Sequence, residues 1–78
     1  MDYIYITKED NTIEKMEAVT IFNVSNSDYN YIIYKSLSTG DYYAGKYLDN
    51  NLSDLDTNLE SFEIELVSGV FDSLVGGV

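Results

Sequence analysis

The stretch that most limits what this chain can fold into is residues 18–36. Val19-Thr20-Ile21-Phe22-Asn23-Val24 and Tyr29-Asn30-Tyr31-Ile32-Ile33-Tyr34 are rich in β-branched and aromatic residues, the types that fit a pleated, half-buried surface. Between them lies Ser25-Asn26-Ser27-Asp28, short polar side chains that bond their own backbone in turns. Two such runs split by so short a loop form a hairpin. Counting outward from the loop pairs Val24 with Tyr29, Phe22 with Tyr31 and Thr20 with Ile33. Apolar bulk then falls on both faces, which places the hairpin mid-sheet with cover over at least one side.

Its neighbours follow the same period. Tyr3-Ile4-Tyr5-Ile6-Thr7 alternates as a strand. A four-residue turn, Lys8-Glu9-Asp10-Asn11, leads into a long strand from near Thr12 to Val24, with room for a bulge around residues 14–17. Without a bulge Ile6 faces Ile13 and Ile4 faces Lys15, so Ile4, Ile6, Ile13, Val19, Ile21, Ile32 and Tyr34 share one face. After the loop at Gly40, Tyr42-Tyr43-Ala44-Gly45-Lys46-Tyr47 reads as a fourth strand. Pairing Lys35 with Tyr42 sets Gly45 opposite Ile32, where a missing side chain lets a covering helix close in.

Residues 48–56 are polar and read as a crossover loop. Thr57-Asn58-Leu59-Glu60 has the form of a capping box. Leu59, Phe62, Leu66, Val70 and Leu74 then recur at helical spacing, widened by Ile64, Val67 and Phe71. Gly76-Gly77 supplies a stop. The spacing predicts a helix over residues 57–75; the rival is a strand at residues 62–67, where Phe62, Ile64 and Leu66 alternate. The expected fold is α+β, a four-stranded antiparallel β-meander with one C-terminal helix packed on the isoleucine face, in one small domain spanning residues 1–78. On this reading Leu66→Asp unfolds the chain and Tyr31→Asp does not.

Charge narrows the partners. Fourteen Asp and Glu face four Lys, with formal net charge −10. Such a surface repels nucleic acid and anionic membranes and suits a basic partner, or serves solubility alone. No cysteine or histidine is present, which removes disulfides, thiolate metal sites and the commonest general base. No run reaches the roughly 18 apolar residues of a membrane span. Met1-Asp2-Tyr3 lacks the basic start of a secretory signal, and the reading is a cytoplasmic protein.

Three constellations bear on chemistry. Asp49, Asn51, Ser53, Thr57 and Glu60 partly match a calcium loop. Asp54 stands where that loop turns on Gly, and Asp56 where an apolar residue anchors it. The favoured reading is an acidic crossover loop ending in a helix cap, with calcium binding as the rival and no cofactor otherwise. The carboxylates show no pairing that marks an acid/base site, and the serines have neither histidine nor a nucleophile elbow. The chain reads as a non-enzyme. Finally, Tyr3, Tyr5, Phe22, Tyr29, Tyr31, Ile33 and Tyr42 fall on the face away from the isoleucines. Tyrosine is enriched where one end is apolar and the other wet, and these seven are the candidate partner contacts.

Ile4-Tyr5-Ile6-Thr7 before an acidic turn, Met16-Glu17-Ala18-Val19-Thr20-Ile21-Phe22, Asp28-Tyr29-Asn30-Tyr31-Ile32-Ile33-Tyr34 and Gly40-Asp41-Tyr42-Tyr43 resemble a family of small acidic proteins of unknown function. Its members occur in low-GC Gram-positive bacteria and their mobile elements. The resemblance implies a β-meander with an acidic C-terminal helix and brings no catalytic residue. Residues 67–78 depart from it in being more apolar. Together these features point to a non-catalytic protein–protein interaction module. It would be a homodimer through the tyrosine face or bind a basic protein. The alternative is an acidic inhibitor that imitates nucleic acid and occupies a basic groove.

Overall fold

The computed structural model describes residues 2–52 and 55–76. Four strands, β1 (Tyr3–Thr7), β2 (Ile13–Asn23), β3 (Tyr29–Ser36) and β4 (Tyr42–Leu48), precede one helix, α1 (Ser61–Val75). The strands form one antiparallel sheet in the order β1-β2-β3-β4. The α+β meander expected from the sequence is therefore present, and residues 62–67 are helical.

The central hairpin pairs as its turn chemistry dictates: Phe22 faces Tyr31 and Thr20 faces Ile33. Asn26 closes the turn with φ 67°, a left-handed conformation that Asn tolerates. On the other side of β3, Ile32 faces Gly45 and Lys35 faces Tyr42, as counted.

β1 departs from expectation. Lys8 N donates to the Thr12 carbonyl (2.8 Å) and Asn11 takes φ 66°, so the loop is three residues, not four. A type I turn closed by a left-handed residue produces this geometry. The shorter loop moves the register by one: Ile4 faces Met16 and Thr7 faces Ile13. A second shift follows at Val19, where the β2–β3 register slips between Ala18 and Thr20. Each one-residue shift turns side chains to the opposite face, and two shifts cancel. Ile4 and Ile6 therefore still share a face with Ile32 and Tyr34, although Ile13 is lost to the other side and exposed.

That face carries the core. Ile4, Met16, Ile32, Tyr34 and Tyr47 form the buried cluster, flanked by Ile6, Ala18, Leu52 and Leu55. Its cover is the crossover loop, not the helix. Leu55 lies over Gly45, where an added Cβ would stand 2.8 Å from Leu55 Cδ1 and 3.2 Å from the Asp56 carbonyl. Gly45 thus does allow a close approach, but by a loop. There Asp56 and Lys46 exchange backbone hydrogen bonds of 2.9 and 2.8 Å, which ties the loop to the β4 edge.

Helix α1 lies on the tyrosine face. Glu63 meets Tyr31 and Lys46, and Phe71 packs edge-on against Tyr42 with ring centroids 4.8 Å apart. The expected placement over the isoleucines is overturned. The helix also begins later, with Glu60 as N-cap and Glu63 Oε1 accepting the Glu60 amide at 2.9 Å. Thr57 stands outside it.

Candidate functional site

The side of α1 that meets the sheet is set by Glu63. Glu63 is 2 % exposed, and every bond on its carboxylate is internal. Tyr31 Oη donates to Oε2 at 2.5 Å, Lys46 Nζ donates to Oε1 and Oε2 at 2.9 and 3.1 Å, and the Glu60 amide donates to Oε1. Burial pushes the Glu63 carboxyl up, but these four donations outweigh it and bring it down to about 2. The positive end of the helix favours the same charge. The Lys46 ammonium is raised, chiefly by its bond to Glu63. The Tyr31 hydroxyl is raised by burial first and by Glu63 second. This is a satisfied, ionised clasp that holds α1 to β3 and β4.

The clasp rotates the predicted apolar stripe. Val67, Val70 and Phe71 are partly buried, whereas Phe62 is 58 % exposed, Leu66 is 37 % exposed and Ile64, Leu74 and Val75 are open to solvent. One shoulder, Phe62 and Leu66, lines a groove of about 430 Å³ together with Val24, Asn26, Tyr29 and Tyr31. Glu60, which is exposed, lines it too. A second recess of about 260 Å³, with Ile33, Ala44, Val67 and Phe71 among its walls, opens beneath the C-terminal half of α1. The helix therefore covers the sheet incompletely.

The seven candidate contacts scatter accordingly. Tyr31 (2 %) and Ile33 (1 %) are buried beneath the helix and cannot serve as free contacts; this corrects the expectation, and the cause is the position of α1. Phe22 is half-buried and stacked on Tyr31 with centroids 5.6 Å apart. Tyr29 is half-buried in the groove, with the Lys46 ammonium 4.7 Å from its ring centre. Tyr42 is exposed but packs on Phe71. Tyr3 and Tyr5 are exposed on β1, Tyr3 beneath the Lys15 ammonium at 4.2 Å.

Phe62, Leu66, Glu63 and Lys46 are the residues that sequence reasoning missed. Apolar residues flank both sides of the α1 contact line, so periodicity alone could not choose between them. The signal that could have chosen was Glu60 as cap, which puts Glu63 at the third helical position.

All four lysines are engaged within the fold. Lys8 pairs with Glu14 at 3.2 Å and Lys46 with Glu63, while Lys15 and Lys35 lie over the rings of Tyr3 and Tyr42. Among the described residues the acidic side chains other than Glu14, Glu17 and Glu63 are exposed.

In the crossover loop, Asp49 takes φ 53° and its carbonyl accepts from Asn30 Nδ2 at 2.6 Å. Ser53 and Asp54 of the calcium reading lie outside the described residues. Among the described residues no cluster of three or more Asp, Glu, His or Cys could hold a metal ion. Among them, too, no helix is long and apolar enough to cross a membrane. The fold and groove define a β-meander domain whose helix leaves part of one sheet face uncovered. No family model, curated protein or solved structure matches the chain.

Proposed function

We propose that this protein is a non-catalytic interaction module that takes a basic, partly apolar protein segment into the groove between α1 and the β2–β3 turn. The observation that carries the reading is the exposure of Phe62 and Leu66 above a concave wall, on a chain of net charge −10 whose lysines are already engaged. Exposed apolar side chains gathered at a groove mark an interaction site, and the net negative charge of the chain favours a positively charged partner. A non-catalytic role is supported by the state of Glu63, the one buried carboxylate among the described residues, whose oxygens are consumed by the clasp. A nucleic-acid mimic would need its charge but not its apolar shoulder.

The test is titration with a lysine-rich amphipathic peptide, followed by NMR shifts, with a Phe62→Ser variant alongside. Shifts centred on Phe62, Leu66 and Tyr29, lost in the variant, support the reading. Binding that is unchanged in Phe62→Ser and falls about tenfold or more with added salt would assign the surface to charge alone.

A further inference from the structure

The two edges of the sheet are treated differently. On β4 the outward backbone groups of Lys46 are bonded to Asp56, so a loop covers that edge at Lys46. β1 is the terminal strand at the other edge. Ala18 N donates to the Asp2 carbonyl and Lys8 N to the Thr12 carbonyl, so the even-numbered residues turn their backbone groups toward β2. The alternation of an antiparallel ladder then aims the N–H and C=O of Tyr3, Tyr5 and Thr7 away from the sheet. The strand carries no proline, bulge or charged side chain between Tyr3 and Thr7, the devices that normally blunt an edge.

We infer that β1 pairs antiparallel with β1 of a second copy of this chain, about a twofold axis through Tyr5. The register is self-complementary. Tyr5 meets its own counterpart on the axis, Tyr3 faces Thr7 of the partner subunit, and all outward N–H and C=O groups of these three residues are satisfied. A shift by two residues leaves one such pair unmade. On the core face Ile4 comes opposite Ile6, extending the cluster that already buries Ile4. At the ends Asp2 comes opposite Lys8, both exposed and of opposite sign. A twofold interface needs this kind of complementarity between a surface and itself, and a foreign strand would have no reason to match it. The net charge of −10 per chain opposes the contact at long range, so added salt strengthens the dimer. The proposal does not depend on the Phe62 groove, which the contact leaves open.

The experiment is sedimentation equilibrium and amide hydrogen exchange on the intact protein over a concentration series, at low and high salt. The expected result is a species of twice the 8.8 kDa chain mass, favoured by salt. With it, exchange at Tyr3, Tyr5 and Thr7 should slow about tenfold or more as concentration rises. Tyr5→Pro, which removes one outward donor from an edge strand, should remain monomeric. Exchange at these three amides that is independent of concentration overturns the proposal, as does a dimer that persists in Tyr5→Pro. The exchange measurement decides the matter even if that variant does not fold. Protection of the same amides only on adding the basic peptide would give the edge to a foreign strand and equally overturn it.

Discussion

The hydroxyl of Tyr31 donates to the carboxylate of Glu63 across 2.5 Å and 32 positions of chain, from the middle of the sheet to the first turn of the helix. Neither residue is exposed beyond 2 %. The bond therefore fixes which side of α1 meets the sheet. Its strength depends on Glu63 being ionised, because a hydrogen bond to a charged acceptor is worth about 1.5–3 kcal/mol.

Glu63 should make the protein sensitive to acid. Its carboxyl lies at about 2 in the folded chain, against an ordinary value of 4.5. A carboxyl depressed by folding contributes stability that is fully present above 4.5 and is lost as pH falls through about 2. Urea unfolding should show the midpoint falling steeply across that window. Glu63→Gln should lose about 3 kcal/mol at neutral pH, because Lys46 is left without its charge partner, and its own acid dependence should be flatter.

The face covered by α1 reverses the expectation drawn from periodicity. Tyr31→Asp should unfold the protein, since a second carboxylate would be buried beside that of Glu63. Leu66→Asp alters a side chain already 37 % exposed and should leave the far-ultraviolet dichroism intact, with about 1 kcal/mol lost or less. Comparing thermal melts of the two variants checks this.

Gly69 sits mid-helix with nothing within 4 Å of where its Cβ would be. Gly69→Ala should therefore raise stability by about 0.5–1 kcal/mol through the cost of ordering glycine in a helix. An unchanged or lowered melting temperature would show that close packing, absent from the structure, occurs at that position.

Gly45→Val should have the opposite sign. The Leu55 side chain can retreat, but the Asp56 carbonyl, 3.2 Å from the added Cβ, belongs to the backbone bridge with Lys46. A loss of about 1–3 kcal/mol is expected, with amide exchange at Lys46 and Asp56 accelerating before that of Ile32.

The strands, their order and the central register were legible in the chain, because each depends on neighbours a few residues apart. Ser25-Asn26-Ser27-Asp28 specifies its hairpin locally, and Gly45 falls opposite Ile32 by counting. The β1 register was less legible, since the left-handed Asn11 shortens a loop that composition alone leaves at four residues. The bulge at Val19 has no local mark either. The groove was hidden for a further reason. Residues 59–75 carry apolar side chains around more than half of the helix, so periodicity allows several faces to pack.

Alternation, turn chemistry and helical spacing, all short-range effects, were enough to specify a four-stranded meander followed by a helix. The side of the sheet that the helix takes, and the apolar residues it leaves outside, were settled by packing between distant parts of the chain. Those choices rest on the ionised clasp of Glu63 with Tyr31 and Lys46 and on the seating of Leu55 over Gly45. Both join residues distant in the chain, and the gain from satisfying a buried charge exists only once all its partners have converged.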